Sequence, residues 1–168
     1  MHDLILGSKK SSVLCVIKNN ENFLLLERIK PPHQGMFTPV GGKINPFESP
    51  KDAAFRELNE ETGLTLKTLK YCGILVETSS IQYNWINFVY CGETEYFQPQ
   101  YCNEGVLKWI NFKDIDKYLI PKTDMYIYKY IINSKIFMFN ALYDNNIELI
   151  SLTEEIENVC YSKTFQKA

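Results

Sequence analysis

The stretch 42–64, GKINPFESPKDAAFRELNEETGL, constrains this chain more than any other part of the sequence. It contains four glutamates, one arginine and two glycines. Ser49 is followed by Pro50 and, three residues on, by Asp52, which is the pattern of a capped helix start. Gly63 stands where a left-handed cap would end the helix. The sequence therefore predicts a helix over 50–62 with a defined first and last residue.

Three carboxylates share one face of this predicted helix. Glu57, Glu60 and Glu61 are separated by three and four residues, so they lie within one turn and repel one another. A solvated acidic face is the alternative for any pair of helical glutamates. Here the helix follows the glycine pair Gly41–Gly42, a loop whose backbone can approach a ligand closely. Oxygen ligands without histidine or cysteine suit Mg²⁺ or Mn²⁺ shared with phosphate, so the pattern predicts a site that handles a diphosphate.

Written as spacing, the stretch is G, five residues, E, seven residues, R-E-L, one residue, E-E, one residue, G-L. It thereby resembles the Nudix box, and the chain resembles the Nudix hydrolases, enzymes that cleave nucleoside diphosphates linked to another group. The resemblance implies that the Gly41 carbonyl and Glu61 bind metal, that Glu57 is a ligand or the base that activates water, and that Glu60 binds a further ion. It also implies that Arg56 pairs with the loop glutamate Glu48. Four residues are expected to support the site structurally: Gly42, Glu48, Arg56 and Gly63. Arg56 is at the same time counted among the candidate catalytic residues.

An acidic residue outside the box extends the resemblance. In MutT-type enzymes a loop glutamate a few residues before a tryptophan strand reaches the metal cluster, and Glu104 precedes Trp109 in this way. Glu104 is therefore expected to complete the metal shell or to act as the base, the alternative being an exposed loop glutamate. The expected reaction is attack on phosphorus by a water that Glu57 or Glu104 deprotonates.

The choice of nucleotide depends on residues outside the box. The stretch 24–44 resembles the MutT branch, which hydrolyses oxidised nucleoside triphosphates such as 8-oxo-dGTP to the monophosphate and pyrophosphate. The alternatives are ADP-ribose or a dinucleoside polyphosphate as substrate, or a Nudix module that binds a nucleotide without cleaving it. The expected substrate-binding residues are aromatic rings that could stack on a base and one cation near the box: Phe37, Tyr83, Trp85 and Phe88, with Lys43. Strand aromatics are more often core residues, and His2 and His33 are expected at the surface without partners.

Strand and helix patterns along the rest of the chain predict an α/β fold. The predicted strands are 13–18, 23–28, 37–40, 70–78, 81–91, 106–110, 136–143 and 148–152, and the further helical segments are 113–118 and 123–133. Strands between two helical segments agree with the α/β/α sandwich with a mixed central β-sheet that the Nudix resemblance implies. The last dozen residues are expected to fray.

Composition limits the functional class. The chain has 168 residues, 45% of them hydrophobic, and a net charge of −2, which predicts one domain over 1–168 without the basic stripe of a nucleic-acid-polymer-binding protein. No apolar run is long enough for a signal peptide core or a membrane span, so a cytoplasmic protein is expected. Five cysteines without a C-x-x-C pair argue against a zinc ribbon or a disulfide framework and are expected to be ordinary thiols. The expected partner is a small nucleotide, and the chain is expected to be a monomer or a homodimer.

Overall fold

A mixed β-sheet with one α-helix on each face organises the protein. The computed structural model describes residues 7–163, which contain eleven strands, two α-helices and a short 3-10 helix at Ile115–Lys117. The strands are β1 (Lys10–Asn19), β2 (Asn22–Arg28), β3 (Phe37–Thr38), β4 (Val40–Lys43), β5 (Lys70–Ser79), β6 (Trp85–Glu93), β7 (Tyr101–Cys102), β8 (Gly105–Asn111), β9 (Phe137–Tyr143), β10 (Leu149–Glu154) and β11 (Val159–Lys163). The helices are α1 (Pro50–Thr62) and α2 (Lys122–Ile132).

The sheet runs in the order β11-β10-β9-β5-β6-β1-β2-β8-β7, with β3 paired to β2 and β4 paired to β1. The β1–β6 and β5–β9 pairs are parallel and the others antiparallel. Helix α1 packs Ala53, Ala54 and Leu58 into one apolar cluster, and α2 packs Ile127 and Tyr128 into a second. The predicted α/β/α sandwich with a mixed sheet is confirmed. Within residues 7–163, no helix is long and apolar enough to cross a membrane.

Helix α1 has the caps that the sequence predicts. The Ser49 side chain accepts a hydrogen bond from the Asp52 backbone N–H at 3.2 Å, and the Ser49 hydroxyl donates to the Asp52 carboxylate at 2.6 Å. At the other end Gly63 adopts a φ of 73° and its N–H donates to the Asn59 carbonyl. Both ends of the helix are therefore fixed by local hydrogen bonds, which sets the direction in which its glutamates point.

Two predicted strands differ from the structure for local reasons. Pro39 cannot donate a ladder hydrogen bond, so the predicted strand 37–40 is split into β3, which pairs with β2, and β4, which pairs with β1. The predicted strand 81–91 begins only at Trp85, because the Asn84 side chain closes a turn with Ser79 N–H and the Ile81 carbonyl. Tyr83 of this turn lines the cleft described below.

The C-terminal prediction was partly wrong. Residues 159–163, expected to fray, form β11, which pairs with β10. The short strand β7 at the opposite edge was not predicted either. Residues 164–168 and His2 lie outside the described residues.

Candidate active site

A cleft of about 710 Å³ brings the box carboxylates together with Glu104. Glu57, Glu60 and Glu61 of α1 lie along it with the glycine pair, and Glu104 enters from the turn before β8. Glu104 is separated from the helix carboxylates by more than forty residues of chain, but all four line one cavity. The helix caps and the sheet register together explain this convergence.

Glu61 is held against the backbone of β4. Its carboxylate accepts a hydrogen bond from the Gly41 N–H at 2.8 Å. Burial raises the pKa of Glu61 to about 7, the hydrogen bond from Gly41 opposes that rise, and the negative charges of Glu57 and Glu104 add to it. A cation bound nearby would reverse the effect of these charges, so the half-buried carboxylate is set up for a positive partner.

The glycine pair is required by two close approaches. A Cβ at Gly41 would lie 2.1 Å from the Val13 carbonyl oxygen on the paired strand. A Cβ at Gly42 would lie 2.4 Å from the Glu57 carboxylate. Gly41 therefore allows the strand pairing, whereas Gly42 leaves room for a functional side chain.

Arg56 fastens the box loop to the helix. Its Nε and Nη2 donate to the two carboxylate oxygens of Glu48 at 2.7 and 2.9 Å, an ion pair that lowers the pKa of Glu48 to about 2. Nη1 donates to Glu57 at 2.7 Å and Nη2 to the Lys43 carbonyl at 3.0 Å. Nη1 also contacts Glu60 at 3.3 Å. The guanidinium thus joins the loop, the end of β4 and two box carboxylates, which is the placement of a scaffold residue.

Glu104 lies beside two cations. Its carboxylate is 4.0 Å from Arg28 Nη2 and 3.6 Å from Lys30 Nζ, and its backbone carbonyl accepts from the Ile29 N–H. Arg28 lines the cleft, and its charge lowers the pKa of Glu61. Sequence reasoning missed Arg28. It stands at the end of a predicted strand, and nothing local in the sequence shows that the strand ends at the cleft.

The donor set fits a hard divalent cation. Glu57, Glu60, Glu61 and Glu104 all offer carboxylate oxygens to one cleft. Within residues 7–163, no three acidic, histidine or cysteine side chains converge closely enough to hold an ion by themselves. An ion here would complete its shell with water and phosphate oxygens, as Mg²⁺ commonly does. The residues therefore fit a metal that binds together with a phosphorylated substrate.

The floor of the cleft is a buried polar network centred on Glu77. Asn87 Nδ2 donates to Glu77 Oε2 at 2.9 Å and to the Leu75 carbonyl at 3.2 Å, and its oxygen accepts from the Ser12 hydroxyl. Ser12 stands opposite Asn87 in the parallel β1–β6 register. Tyr143 Oη donates to Glu77 Oε1 at 2.9 Å. Burial raises the pKa of Glu77, and these hydrogen bonds oppose the rise.

Three more polar groups surround this network. Tyr83 Oη donates to Glu77 at 3.2 Å and contacts His33 Nε2 at 3.0 Å. Asp124, at the start of α2, is buried, and burial together with the charge of Glu77 raises its pKa well above the usual value. Thr38 Oγ1 is buried in the cleft lining and has no hydrogen-bond partner among residues 7–163. The floor thus contains carboxyl, amide and hydroxyl groups, one of which is unpaired.

Comparison with known proteins identifies the family. The NUDIX domain family model matches residues 8–131. The chain belongs to the NUDIX family. It is a Nudix hydrolase, acting on a nucleoside diphosphate linkage.

The proteins similar to this chain differ in their names. The uncharacterized Nudix hydrolase YvcI of Bacillus subtilis (strain 168) is 26% identical over 143 residues, covering 82% of this chain and 89% of that protein. An RNA pyrophosphohydrolase of Proteus mirabilis (strain HI4320) is 40% identical over 79 residues, covering 47% of this chain and 40% of that protein. The MutT protein of Bacillus halodurans superposes with a TM-score of 0.77 at 24% identity, covering 88% of this chain and 98% of that structure.

Only some of the expected substrate-binding residues line the cleft. Lys43, Tyr83 and Trp85 line it. Phe37 does not: it is buried against Tyr118, at 5.2 Å between ring centroids. Phe88 packs with the α1 cluster, because alternation along β6 turns it away from the face of Trp85 and Asn87. Stacking of a base on Phe37 or Phe88 does not fit these positions.

His33 also differs from expectation. It is half-buried and partnered by Tyr83, and burial lowers its pKa. The floor residues Ser12, Glu77, Asn87 and Asp124 were missed by sequence reasoning. Each of them is a polar residue within an otherwise apolar strand or helix segment. That pattern indicates a buried polar site, but it does not show which residues contact each other.

Proposed function

We propose that this Nudix hydrolase is a Mg²⁺-dependent nucleoside triphosphate pyrophosphohydrolase that converts an oxidised purine nucleotide such as 8-oxo-dGTP to its monophosphate and pyrophosphate. The observation that carries the proposal is the single cleft in which a carboxylate wall meets a polar floor. The wall suits phosphates with a divalent ion, and the floor suits the edge of a base. A nucleotide lying across the cleft would contact both.

Phosphate handling belongs to the wall. Glu57, Glu60, Glu61 and the Gly41 carbonyl are the groups that would hold Mg²⁺ or Mn²⁺, which when bound neutralises charge on the phosphate oxygens. Arg28 and Lys43 line the same cleft and add positive charge for the triphosphate. Arg56 acts through its neighbours, since it holds Glu48 and Glu57 in place and lies in the scaffold of the site.

We assign the general base to Glu104. Glu57 is already engaged by Arg56 at 2.7 Å, whereas the cations nearest Glu104 lie at 3.6 and 4.0 Å. Glu104 can therefore take the proton of a water whose oxygen attacks phosphorus, and the bond to the pyrophosphate leaving group breaks. On this assignment Glu104→Gln lowers kcat while leaving metal binding nearly unchanged, whereas Glu57→Gln weakens both.

Base recognition belongs to the floor. Trp85 lies at the cleft, with Lys10 Nζ 5.5 Å from its ring centroid, and offers a face for stacking. Burial raises the pKa of Asp124 and so favours its protonated form, which can donate a hydrogen bond, while Glu77 and the Thr38 hydroxyl can accept one. The 8-oxo form of guanine carries hydrogen on N7, where guanine has an acceptor. A floor with acceptor groups favours the oxidised base.

The test compares kcat/KM for 8-oxo-dGTP, dGTP, ADP-ribose and dinucleoside polyphosphates with Mg²⁺, using wild type and Glu61→Gln. The proposal predicts the highest value for 8-oxo-dGTP, with pyrophosphate as a product and strong loss in the variant. Preference for ADP-ribose or a dinucleoside polyphosphate would overturn the substrate. Equal release of product by both proteins, or none by either, would overturn the catalytic assignment.

A further inference from the structure

Two cysteines meet at the far end of the strands that form the cleft floor. Cys72 lies in β5 and Cys91 in the neighbouring antiparallel strand β6. The register pairs Tyr71 with Tyr90 and then Gly73 with Val89, so Cys72 is the extra residue of a β-bulge. Cys91 is four residues beyond Asn87 on β6, about 13 Å along the strand from the floor network.

Both side chains point to the same side of the sheet. Cys72 and Cys91 pack in the apolar cluster on the α2 face, whereas the rings of Tyr71 and Tyr90 meet edge to face on the other side, with 5.8 Å between the ring centroids. The bulge is what places Cys72 diagonally beside Cys91 on one face. Cys72 Sγ donates to the Lys70 carbonyl at 3.4 Å, and Cys91 Sγ donates to the Gly92 carbonyl at 3.9 Å.

The pair is reached through its own cavity. A pocket of about 350 Å³ contains both cysteines and is bordered by three lysines, Lys18, Lys70 and Lys135. Cys72 is 6% exposed and Cys91 is half-buried at the pocket wall. A small neutral oxidant can therefore reach sulfur from solvent, and the lysines favour a thiolate there.

We propose that Cys72 and Cys91 form an oxidation site in which a peroxide converts the two thiols into an intramolecular disulfide. This inference is independent of the proposed nucleotide substrate. It concerns a pair of thiols that no step of the hydrolysis uses.

The two thiols differ in reactivity in the way this chemistry needs. The neighbouring Cys91 thiol lowers the pKa of Cys72, with Lys70 and Lys18 contributing, while the neighbouring Cys72 and burial raise the pKa of Cys91. The Cys72 thiolate attacks one peroxide oxygen, the O–O bond breaks, and protonation of the leaving oxygen releases water and leaves a sulfenic acid. The Cys91 sulfur then attacks the Cys72 sulfur, the S–OH bond breaks, and its oxygen leaves with the Cys91 proton as a second water. The thiols are oxidised by two electrons and the peroxide is reduced by two.

The other buried cysteine shows the contrast. Cys15 donates to the Ala54 carbonyl under α1, and burial with the charges of Glu61 and Glu57 raises its pKa to about 12. It is therefore held as a thiol. Cys160 is exposed on β11 and serves as the matched control position.

The test is a peptide map of the reduced full-length protein after hydrogen peroxide and alkylation. Cleavage after glutamate places Cys72 on peptide 62–77 and Cys91 on peptide 78–93, apart from every other cysteine. The expected product joins these two peptides, with a mass lower by two hydrogens, in wild type and in Cys160→Ser. Cys72→Ser and Cys91→Ser should lack it and keep one more alkylatable thiol than oxidised wild type.

The proposal fails if peroxide oxidises Cys160 in wild type while Cys72 and Cys91 stay alkylatable. It also fails if Cys72 is found linked to Cys15, Cys102 or Cys160 as often as to Cys91. The wild-type map decides on its own, because each linkage has its own mass, so a variant that folds poorly does not obscure the result.

Discussion

The wall and the floor of the cleft are built in opposite ways. The wall comes from one continuous stretch, in which Ser49 and Gly63 cap a helix and Arg56 ties the loop to it. The floor comes from β1, from the consecutive strands β5 and β6, and from the start of α2, three parts of the chain that lie far apart in sequence. The wall is therefore specified locally and suits what all nucleotides share, whereas the floor depends on sheet register and suits what distinguishes one base from another.

The largest expected effect comes from removing the most deeply held wall carboxylate. Glu61→Gln keeps the size of the side chain but removes the charge beside Gly41. We expect a loss on the order of 10³-fold in kcat, because loss of several kcal/mol of charge stabilisation corresponds to that factor. Steady-state kinetics with Mg²⁺ measures it, and Glu95→Gln, outside the cleft, is the control. Activity within a few-fold of wild type would place the catalytic charge elsewhere.

A second change tests whether the wall needs its geometry as well as its charges. Gly42→Ala places a methyl group against the Glu57 carboxylate, which must move. A displacement of this kind costs roughly 10²-fold in rate when it misplaces a reacting group. The measurement is kcat together with the thermal unfolding midpoint.

Gly41→Ala is the matched control for that change. Its Cβ would meet the backbone of Val13, which cannot move as a side chain can, so this variant should lose stability first. If both variants unfolded alike, Gly42 would be a structural glycine and not a functional one.

A smaller effect is expected at the floor. Asn87→Ala removes the hydrogen bonds to Glu77 and the Leu75 carbonyl, and with them the partner of Glu77 Oε2. We expect about a tenfold fall in kcat/KM through KM, since an unpaired buried group costs about 1–3 kcal/mol. The exposed Asn20→Ala is the control. A fall in kcat with KM unchanged would show that the floor takes part in the chemical step. It would contradict the assignment of base recognition to the floor and phosphate handling to the wall.

The smallest effect concerns stability and pH in metal-free protein. The pKa of Glu61 is about 7 in the folded state and near 4.5 when unfolded, so the folded state binds more protons between these values. Glu61 therefore does not lower the free energy of unfolding below pH 4.5. It lowers that free energy increasingly up to pH 7, by roughly 1–2 kcal/mol after discounting solvent screening. Urea unfolding in chelator at pH 5 and pH 7.5 should show a decline in wild type that is smaller in Glu61→Gln. Equal declines in stability in the two proteins would show that Glu61 is not the cause of the pH dependence.

The same division explains what could be predicted from the sequence. The bounds of α1, its caps and the Arg56–Glu48 pair follow from residues within one turn or one loop of each other. The convergence of Ser12, Glu77 and Asn87 requires the parallel pairing of β1 with β6, which no local pattern encodes. Phe37 and Phe88 were misplaced for this reason, since an aromatic residue in a strand reveals its face only when the register is known. His33 has a partner fifty residues away, and a sequence shows no spacing for that.

The most direct test of the account is the ratio of kcat/KM for 8-oxo-dGTP to that for dGTP in wild type, Glu61→Gln and Asn87→Ala. If the wall handles phosphates and the floor reads the base, Glu61→Gln lowers both values by the same factor and leaves the ratio unchanged. Asn87→Ala then lowers the ratio while retaining most of kcat. A ratio that changes in Glu61→Gln, or that is unaltered in Asn87→Ala, would contradict the account.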